Sequence, residues 1–115
     1  MAYRSLLFVP GARPDRFERA VASGADAVCI DLEDAVAPGG KAQARAETLA
    51  FLKSRAEGAC AVGLRVNALN CLEGFRDVVA LAESGAAPAI VMITKAAGAG
   101  EVRQQRDVFG AATPH

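Results

Sequence analysis

Three carboxylates lie within four consecutive positions of this sequence, at Asp31, Glu33 and Asp34. They follow the apolar run 27–30, which is short, bounded by a glycine-containing turn, and typical of a buried strand. Like charges this close raise one another's pKa unless a basic side chain or a metal ion compensates them. The cluster therefore predicts a nearby arginine, lysine or divalent ion. An ordinary solvated acidic turn, in which Glu33 and Asp34 cap the next helix, is the open alternative.

Basic and polar side chains follow the other predicted strands. Arg13 comes after the first strand, Arg65 and Asn67 end the third, and Lys95 follows the fourth. In parallel α/β folds the carboxyl ends of the strands share one edge, where ligands bind. An arginine at this edge can hold a carboxylate with two hydrogen bonds and offset developing oxyanion charge. A structural role for Arg65, in an ion pair with one of the three carboxylates, is an open alternative. Asp31 could be its partner from the interior of a barrel.

The elements that must position these groups alternate along the chain. Strands are predicted at 5–9, 27–30, 61–67 and 89–93, and helices at 14–23, 41–57, 73–84 and 101–109. This alternation predicts an α/β fold with a parallel sheet and right-handed crossovers. The side chains expected to face the core from the first three helices are Phe17, Ala20 and Val21; Ala46, Leu49, Ala50 and Leu52; and Leu72, Phe75, Val79 and Ala82.

Composition limits the class of protein. The 115 residues are 52% hydrophobic without tryptophan, which suits parallel strands under alanine-rich helices. Thirteen basic residues balance thirteen acidic ones, so nothing supports a general role in binding nucleic acid or membrane surfaces. The three cysteines, an odd number without metal-ligand spacing, indicate a reduced compartment. With no signal-peptide pattern at the N-terminus, the expected location is cytoplasmic.

Four segments carry a resemblance: R-S-L-L-F-V-P-G at 4–11, D-L-E-D-A-V-A-P with K-x-x-x-R at 31–45, R-V-N at 65–67, and Lys95. In this order, over essentially the whole chain, they resemble the citrate lyase β-subunit branch of the HpcH/HpaI aldolase superfamily. The resemblance implies a TIM (βα)8 barrel, of which this chain, as one domain over 1–115, supplies about the first four βα units. It also implies a Mg²⁺-dependent carbon–carbon lyase, assembled as a homotrimer or homohexamer. The implied substrate is a 3-hydroxyacyl thioester of the citryl or malyl type, carried by CoA or acyl carrier protein and cleaved to an oxoacid and an acyl thioester.

The same resemblance implies roles for single residues. Arg65 is expected to bind the substrate carboxylate and carbonyl, with Glu33 and Asp34 beside the metal site and in contact with its waters. Three basic residues are expected near the entrance, in reach of a CoA phosphate: Arg13, Lys41 and Arg45. Asn67 is expected at the substrate-binding site, as an orienting hydrogen-bond partner. The direct metal ligands of the family end the fifth and sixth strands, so this chain is expected to contain none and to be inactive alone.

Two other classes of function remain open. The first is a non-catalytic interaction module, a half-barrel that pairs with itself or with a complementary half. The second is another phosphate-binding barrel, since that phosphate site commonly lies in loops after later strands.

Overall fold

The structure, a computed structural model, describes residues 4–55 and 60–93. Its strands are β1 (Leu6–Pro10), β2 (Ala27–Asp31), β3 (Ala61–Val66) and β4 (Val91–Ile93), and its helices are α1 (Phe17–Val21), α2 (Lys41–Ser54) and α3 (Leu72–Ser84). Short 3-10 turns at Pro14–Arg16 and Pro38–Gly40 lead into α1 and α2. The strands form one parallel sheet in the order β1-β2-β3-β4, which confirms the predicted α/β alternation.

Strand register divides the sheet into two faces. Because side chains alternate along a strand, Ile30 and its register partner Leu64 share one face, whereas Asp31 and its partner Arg65 share the other. The first face packs under the helices and forms the apolar core: Val9, Val28, Ile30, Val62, Leu64, Val66, Val91 and Ile93 from the strands, with Phe17, Ala20, Ala44, Leu49 and Leu81 from the helices. Asp31 and Arg65 therefore lie on the face opposite the helical layer.

The first two helices match their predicted positions, with one correction to the buried face. In α1, Phe17 and Ala20 are buried and Val21 is partly buried, as predicted. In α2 the prediction was wrong for Ala46 and Ala50, which are exposed, and the buried residues are Ala44, Thr48 and Leu49. Alanines occur on every side of this helix, so the sequence offers no clear asymmetry from which to choose a face.

The predicted core face of α3 was wrong. Leu72, Phe75 and Val79 are 59%, 64% and 38% exposed, and Ala82 is exposed as well. The helix instead buries Gly74, Asp77 and Leu81. A Cβ atom on Gly74 would come within 1.9 Å of the carbonyl oxygen of Ala68, so only glycine lets α3 approach the loop after β3 this closely. The apolar spacing therefore marks a second face of α3, hereafter the α3 stripe (Leu72, Phe75 and Val79).

Other sequence expectations have mixed outcomes. Cys29 and Cys60 are buried and Cys71 is exposed, and all three are free thiols. Lys95 and the predicted helix at 101–109 lie outside the described residues. Among the helices that the structure describes, none has the length and apolar character needed to cross a membrane.

Gly74→Ala tests the close approach of α3. Helix propensity alone predicts that alanine stabilises an interior helical position by about 1 kcal/mol. The clash with the Ala68 carbonyl predicts the opposite, a fall of about 1–3 kcal/mol in the free energy of unfolding measured with urea. Gly39→Ala is the control, since a Cβ atom there meets nothing within 4 Å. Stabilisation by Gly74→Ala would contradict the packing described above.

Candidate active site

A two-pronged ion pair joins the ends of β2 and β3. Arg65 donates from Nε to Asp31 Oδ1 at 2.9 Å and from Nη2 to Asp31 Oδ2 at 2.7 Å. The two residues are register partners on neighbouring parallel strands, so the sheet itself brings them together. The Asp31 side chain is 6% exposed and that of Arg65 is 23% exposed. The sequence hypothesis that Asp31 binds Arg65 is therefore confirmed by the geometry.

Asp31 also organises the loop that follows it. Its Oδ1 accepts the backbone N–H of Glu33 at 2.9 Å, and its Oδ2 accepts that of Ala35 at 3.1 Å. Burial raises the pKa of Asp31, but the hydrogen bonds from Arg65 and from these two amides, together with the Arg65 charge, outweigh it and hold the pKa below its usual value. Asp31 is consequently an ionised carboxylate at neutral pH, fixed on both oxygens.

Glu33 and Asp34 lie on the same side as the guanidinium. Arg65 Nη2 is 3.7 Å from Glu33 Oε1 and 3.8 Å from Asp34 Oδ2. Burial raises the pKa of Glu33 and the Asp34 carboxylate raises it further, while the Arg65 charge acts against both. The alternative in which these acids cap α2 is wrong, because the N-cap is Gly40 and no side chain caps the helix. Three carboxylates thus face one guanidinium, and this local excess of negative charge favours a cation.

The described residues fit a magnesium ion only in part. Carboxylate oxygens are suitable ligands for Mg²⁺, which also retains several waters. Glu33 Oε1 is buried and has no hydrogen-bond partner among the described residues, so it could accept from a metal-bound water. However, residues 4–55 and 60–93 contain no cluster of three or more possible metal ligands. Glu33 and Asp34 alone do not complete a magnesium site, so further ligands would come from outside this cluster, with these two carboxylates in reach of metal-bound water.

The Nη1–Nη2 edge of the Arg65 guanidinium is available to a ligand. Of its five N–H donors, Nε and one on Nη2 are given to Asp31, and within the described residues Nη1 makes no hydrogen bond. The Nη1–Nη2 edge has the geometry for a second carboxylate. The Phe8 ring, 48% exposed, lies with its centroid 5.7 Å from Arg65 Cζ. Sequence reasoning did not select Phe8, although its register position on β1 places it on this face.

Lys41 and Asn67 meet beside the acidic loop. Lys41 Nζ donates to the carbonyl oxygens of Leu32 at 3.1 Å and Glu33 at 2.9 Å, and to Asn67 Oδ1 at 2.7 Å. Asn67 is buried and uses its amide nitrogen on Asp77 Oδ2 at 2.7 Å. Both ends of the Asn67 side chain are thus held by protein groups, and its expected contact with the substrate stays a prediction.

Arg45 and Asp77 form a second buried ion pair. Arg45 donates from Nε to Asp77 Oδ1 at 2.7 Å and pairs through Nη2 with Glu73. The Arg45 side chain is 12% exposed and that of Asp77 only 1%. The expected phosphate contacts of Lys41 and Arg45 find no support in this geometry, since protein acceptors already occupy both cations. Sequence reasoning missed Asp77, and its signal was an acidic residue directly before Val78 and Val79 in a largely apolar helix.

Arg13 is the member of the predicted site that stands apart. It is exposed after β1 and pairs with Asp15, two positions along the chain, at 2.9 Å. Its contact with a CoA phosphate stays a prediction. The structure therefore brings Arg65, Glu33 and Asp34 together and links Lys41 to them through the loop, but it does not bring Arg13 into the cluster.

Asp31→Asn tests the electrostatics of the pair. At neutral pH we expect the free energy of unfolding to fall by about 1–3 kcal/mol, because a charge-assisted pair to Arg65 is lost. The folded-state pKa of Asp31 lies below its unfolded value of about 3.9, so the stabilisation is present above that pH and disappears as pH falls through the folded-state pKa. The difference between wild type and variant should shrink below about pH 4 in urea unfolding series. Exposed Glu47→Gln is the control, with a change under about 0.5 kcal/mol; a pH-independent difference for Asp31→Asn would contradict the assignment.

Two groups of known proteins with related sequences are named as malyl-CoA lyases and malyl-CoA thioesterases. The chain is 45% identical over 80 residues to the L-malyl-CoA/β-methylmalyl-CoA lyase of Cereibacter sphaeroides, which covers 70% of this chain and 25% of the lyase. It is 35% identical over 107 residues to the (3S)-malyl-CoA thioesterase of the same organism, covering 93% of this chain and 37% of the thioesterase. The chain thus spans about a quarter to two fifths of the length of these relatives.

Solved structures agree with these relatives. CitE from Mycobacterium tuberculosis, in complex with magnesium, acetoacetate and coenzyme A, superposes with a TM-score of 0.62 at 38% identity, over 79% of this chain and 32% of CitE. RipC from Yersinia pestis superposes with a TM-score of 0.59 at 33% identity, over 78% of this chain and 33% of RipC. The family model for HpcH/HpaI aldolase/citrate lyase matches residues 4–111. The chain, with its parallel α/β sheet and its Asp31–Arg65 pair, therefore belongs to the HpcH/HpaI aldolase/citrate lyase family.

Proposed function

We propose that the complete protein containing this chain is a Mg²⁺-dependent carbon–carbon lyase. Its substrate would be a 3-hydroxyacyl thioester of the citryl-CoA or malyl-CoA type, and its products an oxoacid and an acyl thioester. Residues 1–115 would form the N-terminal half of its TIM barrel. The observation that carries this proposal is the position of Arg65, which is oriented by Asp31 and lies within 4 Å of two further carboxylates on the face opposite the helices.

Arg65 would bind the part of the substrate that becomes the oxoacid. Its Nη1–Nη2 edge can hold a carboxylate with two hydrogen bonds, which a lysine cannot do because its ammonium is a point charge. Asp31 fixes the opposite edge, so the guanidinium does not have to be reoriented during the reaction. This preorganisation directs positive charge to oxygens that become more negative in the transition state.

The reaction breaks the bond between the hydroxyl-bearing carbon and the carbon next to the thioester carbonyl. The hydroxyl group loses its proton to a base and becomes the new carbonyl of the oxoacid. The electrons of the broken bond form a thioester enolate, which then takes up a proton. Bound Mg²⁺ would supply Lewis-acid stabilisation of the hydroxy-acid oxygens. Glu33 and Asp34 would orient water at the metal's outer side, where the buried Glu33 Oε1 lacks another partner among the described residues.

The proposal also covers the location and the oligomeric state of the complete protein. Free thiols at all three cysteines agree with a cytoplasmic location. The family resemblance is the basis for proposing a homotrimer or homohexamer. The α3 stripe offers apolar surface for a contact between subunits, since Leu72 and Phe75 are more than half exposed on this chain.

Thioester hydrolysis is a second candidate function. It is favoured by the similarity to (3S)-malyl-CoA thioesterase, which extends over 93% of this chain. Both reactions need the substrate carboxylate to be held, so Arg65 would serve either one. The products distinguish them: lysis releases an oxoacid and leaves the thioester intact, whereas hydrolysis releases a free thiol and a hydroxy acid.

Arg65→Ala tests the proposal in a complete barrel. A suitable protein is a chimera in which residues 4–93 of this chain replace the matching segment of the Cereibacter sphaeroides malyl-CoA lyase. We expect kcat for malyl-CoA cleavage to fall by about 100- to 1000-fold, since the guanidinium that holds the substrate carboxylate and offsets developing negative charge is removed. Arg65→Lys should recover only a small part of the loss. Arg19→Ala, at an exposed position of α1, is the matched control and should keep the wild-type rate.

Magnesium dependence is tested in the same chimera. Chelation with EDTA should abolish oxoacid release, and added Mg²⁺ should restore it. Parallel assays for oxoacid and for free thiol decide between the lyase and the thioesterase. An Arg65→Ala variant with wild-type turnover, or a folded chimera without either activity, would refute the proposed function and favour the non-catalytic module.

A further inference from the structure

Lys41 is the first residue of α2, and its contacts are unusual for a basic residue at a helix start. Its ammonium group carries three N–H donors, and all three have protein acceptors: the carbonyl oxygens of Leu32 and Glu33 and the side-chain oxygen of Asn67. The distances are 3.1, 2.9 and 2.7 Å, within the normal range of hydrogen bonds. Two of these acceptors are consecutive in the loop that carries the acidic residues, and the third belongs to Asn67, the residue directly after β3. Lys41 therefore joins the acidic loop, residues 32–37, to the neighbouring strand.

We propose that Lys41 is a positioning residue, which holds the acidic loop against the end of β3 and so sets the places of Glu33 and Asp34 relative to Arg65. This inference rests on the proposed function, because it assigns Lys41 a part in the same site. It replaces the phosphate contact expected from the sequence. An ammonium group that bound a CoA phosphate would have to leave its three protein acceptors.

Lys41 joins the acidic loop to Asn67, and each of these two sites is also held by contacts that do not involve Lys41. On the loop side, Asp31 accepts the N–H groups of Glu33 and Ala35, so the acidic loop is bound through its amides by Asp31 and through its carbonyls by Lys41. The loop is also held by the Leu32 N–H, which donates to the carbonyl oxygen of Arg65 at 2.9 Å, and by the buried side chains of Leu32 and Val36. Lys41 is the side chain that holds the carbonyl oxygens of Leu32 and Glu33, next to the two carboxylates of the site.

On the strand side, Asn67 is fixed by α3 and α2. Asp77 accepts both the backbone N–H and the side-chain amide of Asn67, at 2.8 and 2.7 Å. Arg45 then pairs with the other oxygen of Asp77. Since Arg45 lies one turn after Lys41 on α2, the two basic residues of this helix hold the same strand end through Asn67 and Asp77. Lys41 and Arg45, the basic residues of the K-x-x-x-R segment, thus both bind groups of the protein itself.

Lysine has the right geometry for these contacts. The tetrahedral ammonium group directs three donors to acceptors on different sides, whereas the planar arginine fork directs its donors within one plane. Methionine has similar length and no donor, so it would leave two loop carbonyls and the Asn67 oxygen without this partner.

The test uses Lys41→Met and Lys41→Arg in the chimeric lyase described above. Lys53→Met, at an exposed position near the other end of the same helix, is the matched control. Each variant is assayed with malyl-CoA and with malyl N-acetylcysteamine, a thioester that lacks the nucleotide and its phosphates. For Lys41→Met we expect kcat to fall by about 10- to 100-fold with both thioesters, with KM changed by less than about threefold. Lys41→Arg should recover part of kcat, and the control should match the wild type.

A different pattern would overturn the proposal. If KM for malyl-CoA rises at unchanged kcat, and the effect disappears with the shortened thioester, Lys41 binds the CoA phosphates. Unchanged kinetics with both thioesters would likewise contradict a positioning role.

Hydrogen–deuterium exchange gives a readout that needs no activity. Peptides that cover residues 32–40 should exchange faster in Lys41→Met than in wild type, and at the wild-type rate in Lys53→Met. Should the folded wild-type chimera cleave neither thioester, the proposed function fails, and exchange still decides whether Lys41 holds the loop. Equal exchange in wild type and Lys41→Met would refute the positioning role even in an active enzyme.

Discussion

The ion pair between Asp31 and Arg65 is the interaction on which this site depends. A buried carboxylate is stable only where its charge is compensated and its oxygens are hydrogen-bonded. Asp31 meets both conditions with four bonds, two from Arg65 and two from the backbone of the loop that follows. The same contacts that stabilise the buried charge therefore also orient the guanidinium and order the loop. Stability and preorganisation have one physical cause at this position.

A second set of polar contacts extends this order to the helices. Asp77 is almost fully buried in α3, and its two oxygens are shared between Arg45 and Asn67. Asn67 in turn accepts a hydrogen bond from Lys41, which also binds the acidic loop. The sequence suggested Lys41 and Arg45 as contacts for an incoming phosphate. In the structure, Lys41 donates to carbonyl oxygens of the loop, and Arg45 pairs with the buried Asp77. Within the described residues, Arg65 is the cation of this cluster whose outer edge is available to a ligand.

Apolar side chains are exposed on two surfaces of this chain. The helices cover one face of the sheet, while Leu6 and Phe8 on the other face are 38% and 48% exposed. The α3 stripe adds further exposed apolar area. In a closed barrel of parallel strands the inner face is filled by side chains from all strands, so a four-stranded sheet leaves it incompletely packed. This agrees with relatives of which the chain spans only a fraction.

Sequence alone determined the order of elements, the parallel sheet and the edge at which Asp31, Glu33, Asp34 and Arg65 meet. These features follow from local signals, because apolar runs, turn residues and strand ends are encoded by neighbouring positions in the chain. Only the tertiary structure decided which face each helix buries and which acceptor each cation takes. The face of α3 depends on Gly74 fitting against a distant carbonyl, and the partners of its charged groups depend on contacts between residues far apart in sequence. Periodicity shows that a helix has an apolar side, but the packing of its neighbours decides what that side covers.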